Sequence, residues 1–400
     1  MKTIVRIFLF SLCTAPIGFW AAGATAASPQ ACAALAQRMA LSASVAAPPG
    51  VGPSRMVQQR LYARCLASPE TPAAASGATP KGAFVTFDVA GVGPNPIAIN
   101  PAGEVVGYYF DNNDFIHSFL RTRDGAIATF DPPGAACSAQ TTNLCSISVG
   151  VTPDGTIAGD YTDVSGAAPS FLRAPDGAFT PFEAPGSNFT GASAINPEGT
   201  VTGFYFAAGG ASFDFVRSRS GAFASFAIPG GNNCVFGPVA INPAGAVTGF
   251  YCPAGGGQHG YVRNPAGVFT TFDPAGSVLT QPAAINPNGA ITGYYQDASG
   301  AIHGFLRAPD GAVTTFDAPG QNYGTFPTGI TPSGAIVGYN LLADGSAQHG
   351  FLRSPSGSFT SFDPPGSSYT QPTAISTNGE ITGYFFTANF AAVHGFVGVP

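Results

Sequence analysis

The sequence predicts an all-β repeat protein, a seven-bladed β-propeller preceded by a short helical hairpin. Three observations carry that prediction. The chain repeats itself seven times with a period of about 45 residues. Each copy holds four strand-like pieces bounded by Gly, Pro and Asn. Apolar side chains point both ways from those strands, as sheets packed between other sheets require.

The opening stretch reads as an export signal. Lys2 and Arg6 precede an apolar run from Ile7 to Trp20, and Ala24-Thr25-Ala26 offers the small-x-small pattern of a signal peptidase site, so residues 1–26 are expected to be removed. Cys13 as a lipoprotein cysteine is set aside, because Phe10-Ser11-Leu12 lacks the small residue needed before it. Residues 27–67 carry two helical patterns, Gln30 to Leu41 and Ser54 to Leu66, read as a hairpin stapled by Cys32 and Cys65. Residues 68–81 form a Pro/Ala/Ser/Gly linker, and the repeats occupy 82–400. The remaining cysteines pair locally in this reading, Cys137 with Cys145 and Cys234 with Cys252, as an oxidising compartment favours.

Charge narrows the partners. From Gly82 onward there is no lysine, and eight arginines face twenty acidic residues, a net charge of −12. Such a surface repels phosphate backbones, so nucleic acid is not an expected partner. After the signal no segment reaches the roughly 18 continuous apolar residues of a membrane span. The expectation is a secreted or periplasmic monomer without a cofactor.

The repeats begin at Gly82, Gly125, Gly177, Gly221, Gly267, Gly311 and Gly357. In the fifth, strands are expected at Val268 to Asp273, Ala283 to Asn286, Ala290 to Tyr295 and Ile302 to Arg307. Asn286-Pro287-Asn288-Gly289 has the residue preferences of a type I turn, and Asn100, Asn196 and Asn242 open the same pattern as turn formers. A glycine recurring in the second strand (Gly107, Gly203, Gly293, Gly383 among them) suggests close backbone approach between blades. The first repeat opens with an outermost strand, Ala83 to Asp88, and the last repeat ends with three strands, lacking that fourth. The opening strand is expected to pair antiparallel with Val393 to Val397 and close the ring. A β-solenoid is the runner-up, but its coils are usually shorter than this unit.

The unit also carries a triplet, His-Gly-Phe at His303, His349 and His394, with Tyr261 following His259 and His-Ser-Phe at His117. In this it resembles the HAF family of extracellular repeats, named for His-Ala-Phe. The resemblance spans Gly82 to Pro400 and departs from that pattern by Gly or Ser for Ala and by Arg after the triplet. It implies an extracellular repeat fold and transfers no catalytic or binding residue.

Residues that make the repeat read as structural. The five histidines share one column, and the acids Asp88, Asp131, Glu183, Asp273, Asp317 and Asp363 precede Pro/Gly turns that they are expected to cap. Residues that break the repeat are the better site candidates. Asp160 replaces an aromatic and, with Asp163, is expected to form an acidic loop beside that of Asp111 and Asp114. Such loops could hold Ca²⁺ or supply two carboxylates for glycan hydrolysis, while solvated loop acids are the plainer account. Phe189, Phe236, Tyr323 and Tyr369, in the long loops, offer stacking surfaces for a sugar or a protein. No GxSxG elbow occurs, and the disulfide reading disfavours a Cys/His dyad. The function expected is a binding scaffold for an extracellular glycan or protein through the long-loop face, the alternative a polysaccharide hydrolase or lyase using loop carboxylates.

Overall fold

The computed structural model describes residues 83–400 apart from 91, 138–143, 229, 232–237, 254–255, 321 and 343–346. The expected signal, hairpin and linker, with Cys32, Cys65, Cys234 and Phe236, lie outside the described residues. The described chain is all β apart from one 3-10 turn, Ala388–Phe390.

Strands group in antiparallel fours. After β1 (Ala83–Phe87), unit 1 comprises β2 (Val92–Ile99), β3 (Val105–Phe110), β4 (Ile116–Arg121) and β5 (Ile127–Phe130). Unit 2 comprises β6 (Ser146–Val151), β7 (Ile157–Tyr161), β8 (Ser170–Arg173) and β9 (Phe179–Phe182). Unit 3 comprises β10 (Ser187–Ile195), β11 (Val201–Ala207), β12 (Ser212–Arg217) and β13 (Phe223–Phe226). Unit 4 comprises β14 (Pro238–Ile241), β15 (Val247–Tyr251), β16 (His259–Arg263) and β17 (Phe269–Phe272). Unit 5 comprises β18 (Ser277–Ile285), β19 (Ile291–Asp297), β20 (Ile302–Arg307) and β21 (Val313–Phe316). Unit 6 comprises β22 (Asn322–Ile330), β23 (Ile336–Leu342), β24 (Gln348–Arg353) and β25 (Phe359–Phe362). The last group, unit 7, comprises β26 (Ser367–Ile375), β27 (Ile381–Thr387) and β28 (Val393–Val399), completed by β1 in the register Ala83↔Val399 to Phe87↔Gly395. The pairing expected for the opening strand is therefore present. Single parallel bridges, Ile302↔Gly324 and Gln348↔Tyr369, join units 5, 6 and 7 into one twelve-stranded sheet.

The first strand of unit 5 is longer than its sequence suggested. It starts at Ser277, before Pro282, because register shifts between Ser277 and Leu279 and between Pro282 and Ala284 bulge the strand around the proline. A bulge accommodates a residue that cannot donate to the ladder. The recurring glycine is explained by the same bulge, and its role differs from the expected one. A Cβ at Gly293 would collide with the carbonyl oxygen of Gln281 and Cα of Pro282, in the first strand of its own unit rather than in a neighbour.

Neighbouring units are stitched by two recurrent contacts. The turn-forming Asn286 accepts the amide of Ala290 at 2.9 Å and donates Nδ2 to the carbonyl of Thr331, one unit on, at 3.2 Å. Asn100, Asn196 and Asn242 donate likewise to Thr152, Asn242 and Asn286. The arginine ending each third strand stacks on the last phenylalanine of the preceding unit, as with Arg217 over Phe182 at 4.5 Å and Arg353 over Phe316 at 4.8 Å. Unit 7 has Gly398 there, and Phe84 of β1 stacks on Phe362 at 5.2 Å instead. The antiparallel order puts the Asn-led and PDG-type turns at one end of every unit. The long connections lie at the other.

Candidate functional site

The long-loop end is built first by a repeated hydrogen-bond chain. Each triplet histidine lies one residue before the cross-strand partner of a phenylalanine, so its ring meets the acid after that phenylalanine. Nδ1 of His117, His259, His303, His349 and His394 lies 2.6–2.8 Å from Asp131, Asp273, Asp317, Asp363 and Asp88. Three of these acids also accept a hydroxyl from the next unit, Ser146 to Asp131 (2.6 Å), Thr280 to Asp273 (2.6 Å) and Thr370 to Asp363 (2.5 Å). The five histidines are thus tied to the acids of the repeat, as a column shared by the units suggests. Five of the six acids expected to cap their turns bind an imidazole ring instead, and three of these a hydroxyl as well, because the register brings those donors within reach. The bond to Asp363 raises His349 above the usual imidazole range, against an opposing effect of burial.

The loop acids are engaged locally. Asp111 accepts the amides of Asn113 and Phe115, both at 2.8 Å, and Asp163 accepts those of Ser165 (2.8 Å) and Ala167 (3.0 Å). Desolvation is the largest single effect and raises both carboxyls, but these bonds together outweigh it and hold both below the ordinary Asp value. Asp114 takes the left-handed position of its turn at φ 63°, where Gly166 and Gly300 stand in other units.

Asp160 is not a loop residue. It lies in β7, and its carboxylate accepts Ser170 Oγ (2.7 Å) and the amide of Ala192 (2.8 Å) on β10 of the next unit. Burial pushes its pKa up to about 7, against the lowering effect of those two donors. The acidic loop expected of Asp160 with Asp163 is therefore not formed, since strand alternation turns Asp160 into the junction between units 2 and 3.

The aromatic candidates are strand residues too, because the bulged first strands extend into what reads as loop. Phe189 in β10 stacks on Phe204 at 5.7 Å, Tyr369 in β26 lies 4.7 Å from Phe390, and Tyr323 in β22 packs beside Phe326 and Tyr339. All three remain half-buried at the long-loop end.

Two features escaped sequence reasoning. Asp214 stands in the column that holds Gly or Ser in the other units, and burial raises it to about 7. The hydroxyl of Tyr261, the one tyrosine in a phenylalanine column, is buried without a partner among the described residues, in the junction that Asp214 faces. The column comparison that singled out Asp160 would have found both. The second feature needs the fold: Cys137 and Cys145 form the expected disulfide, and Sγ of Cys145 lies 3.9 Å from Nε2 of His117, 28 residues away. Donor atoms of His117, Asp131, Cys137 and Cys145 all lie within 4.8 Å of one another, but disulfide sulfurs are not the thiolates a metal binds. Beside them a pocket of about 170 Å³ is lined by Pro132, Pro133, Tyr161, Phe171, Phe179 and Pro181. Cys252 is also disulfide-bonded.

No known protein family matches the chain, and no characterised protein matches it in sequence. Its likeness is to solved structures. A streptogramin B lyase superposes with a TM-score of 0.53 at 14% identity, over 80% of this chain and 99% of that one. A catalytically inactive virginiamycin B lyase from Staphylococcus aureus, with quinupristin, gives 0.52 at 12% identity over 80% and 100%. A puromycin hydrolase complexed with PGG gives 0.51 at 13% over 74% of this chain and 50% of that one. These are propeller proteins, and at such identities the likeness is one of fold: this chain has a β-propeller-type architecture.

Proposed function

We propose that the chain is an exported, HAF-type seven-bladed propeller that binds an extracellular glycan across its long-loop end. Ring closure is supported by contacts between the last and first units that repeat those elsewhere. Asn378 donates to the carbonyl of Pro101 at 2.8 Å as Asn288 does to Pro332 at 3.1 Å. Arg123 meets Glu380 at 3.6 Å as Arg219 meets Asp154 at 3.1 Å. Phe87 and Val397 share a core with Ile99, Val105 and Phe119. The Cys137–Cys145 bond supports an oxidising compartment.

The observation that carries the binding reading is a division of labour at the long-loop end. Its acids Asp111 and Asp163 are consumed in their own turns, while Phe189, Tyr323 and Tyr369 are only half-buried. Flat aromatic faces suit pyranose rings. The one observation favouring the hydrolase alternative is Asp160, whose pKa burial raises to about 7, toward the range of a general acid, yet no second carboxylate stands among the causes of its shift.

A glycan microarray, followed by titration calorimetry with the bound oligosaccharide, tests the reading. Binding should fall at least tenfold in Tyr323→Ala or Tyr369→Ala, with no new reducing ends released. Reducing ends that appear with the native chain and vanish in Asp160→Asn would establish the enzyme instead. Absence of binding to every glycan, or affinity untouched by both tyrosine changes, overturns the proposal.

A further inference from the structure

The disulfide at the junction of units 1 and 2 is asymmetric. Cys137 is exposed, whereas Cys145 is fully buried and faces Nε2 of His117 at 3.9 Å. That imidazole is held from its other nitrogen by Asp131 at 2.7 Å, and Asp131 is fixed in turn by Ser146 Oγ at 2.6 Å. The ring stacks on Tyr109 at 5.4 Å. A second carboxylate oxygen, of Asp111, lies 3.7 Å from the same Nε2. The His117 side chain is 16% exposed, against 25–37% for the other four histidines paired to acids. One sulfur is thus open to attack, and the other is backed by an oriented imidazole whose second nitrogen faces both that sulfur and Asp111.

We propose that Cys137–Cys145 is a redox-active disulfide that oxidises dithiols, with Cys137 as the attacked sulfur and Cys145 as the leaving thiolate held by His117 and Asp131. A substrate thiolate attacks Sγ of Cys137 in line with the S–S bond. A new bond joins substrate sulfur to Cys137, the Cys137–Cys145 bond breaks, and its electron pair goes to Sγ of Cys145. With Nδ1–H donating to Asp131, Nε2 of His117 carries the proton released by the substrate thiol and hydrogen-bonds the thiolate. The second thiol of the substrate, deprotonated by solvent, attacks the substrate sulfur of the mixed disulfide and expels Cys137, which takes a proton from water. Two electrons pass from the dithiol to the protein: one substrate disulfide forms, and Cys137 and Cys145 end as a thiol and a thiol shared with the imidazole. A low-molecular-weight disulfide reoxidises the pair by the reverse exchange.

Stabilising the departing thiolate speeds its release and favours the reduced form, which makes the disulfide a stronger oxidant. A purely structural staple would be indifferent to His117. The site lies at the same long-loop end as the proposed glycan surface but shares no residue with Phe189, Tyr323 or Tyr369, so either can fail alone.

The test equilibrates the folded chain in glutathione buffers, alkylates it, and reads the Cys137 and Cys145 peptides by mass spectrometry. His117→Gln should make the pair about tenfold harder to reduce, a shift of about 30 mV for a two-electron couple, while His303→Gln leaves it unchanged. In the early mixed disulfide, glutathione should sit on Cys137. If His117→Gln does not fold, single-cysteine chains serve: Cys145→Ser should form the glutathione adduct at Cys137 at least tenfold faster than Cys137→Ser forms it at Cys145. Equal equilibria in the native and His117→Gln chains, glutathione first on Cys145, or a pair that resists reduction until the chain unfolds would each overturn the proposal.

Discussion

Units 4 to 7 and units 2 and 3 fill the same place in the sheet with opposite chemistry. In units 4 to 7 an aromatic on the second strand sits opposite a glycine on the third: Phe250 and Gly260, Tyr294 and Gly304, Tyr339 and Gly350, Tyr384 and Gly395. The glycine is required by a third partner, since a Cβ at Gly304 would lie 2.5 Å from the Phe316 ring and one at Gly395 2.6 Å from Phe87. Unit 2 replaces the aromatic by Asp160, opposite Ser170, and unit 3 replaces the glycine by Asp214, opposite Phe204. A position designed for dispersion and burial thereby becomes a titratable one. The contrast teaches that the repeat tolerates an acid there at a cost set by its donors. Asp160 has two, whereas the shift of Asp214 has burial as its sole cause.

The largest expected effect comes from removing the strand that completes unit 7. Deleting residues 83–88 strips Phe87 from Gly395 and leaves the β28 edge unpaired, and the product should aggregate. A soluble monomer with an unchanged melting temperature on size-exclusion and thermal analysis would break the comparison. Next, Gly304→Asp imports the chemistry of unit 3 into unit 5. Without donors and against Phe316 it should cost about 3 kcal/mol or more in chemical denaturation.

Asp214→Ser, which copies units 1 and 2, should have the opposite sign. Asp214 has its pKa raised to about 7 in the folded chain. Its contribution to stability is therefore fully present below the unfolded value near 4 and lost as pH rises through about 7. Replacement should stabilise by on the order of 2 kcal/mol at pH 8 and by little at pH 5. Asp160→Asn should show the same pH trend at a similar size, since its pKa is likewise raised to about 7 and the amide oxygen keeps the bonds from Ser170 and Ala192. The smallest effect is that of His349→Gln. Its imidazole is raised by Asp363, so the stability it adds is present below about pH 6.5 and fades as pH climbs past the folded value. Partly exposed, it should be worth at most a few tenths of a kcal/mol, more at pH 5.5 than at pH 8.5.

Much of this architecture is legible in the sequence, because a repeat displays each rule several times. The four strands per unit, the asparagine turns, the pairing of Ala83–Phe87 with the last strand and the Cys137–Cys145 bond follow from patterning and spacing. What depends on register is not legible. The reach from His303 to Asp317 and the glycine beneath a bulged carbonyl require knowing which residues face each other across a ladder. The first strand of unit 5 looks short because Pro282 reads as a stop, although a bulge absorbs it. Asp160 looks like a loop acid for the same reason: nothing in the local sequence says where β7 ends. The approach of Cys145 to His117 depends on two units meeting, which no single repeat encodes.

The joint that completes unit 7 also fixes an order of events. Asp88 and His394, hydrogen-bonded at 2.6 Å, are 306 residues apart. On the ribosome, the strand made first among those described waits, edge open, until the last has emerged, while every intervening unit can form from neighbours already present. Closing so long a loop adds only a logarithmic entropy cost, but contacts of such separation form slowly. The molecule should therefore pass through a long-lived intermediate with all but its final sheet assembled, and that interval is when it is most exposed to mispairing with another copy.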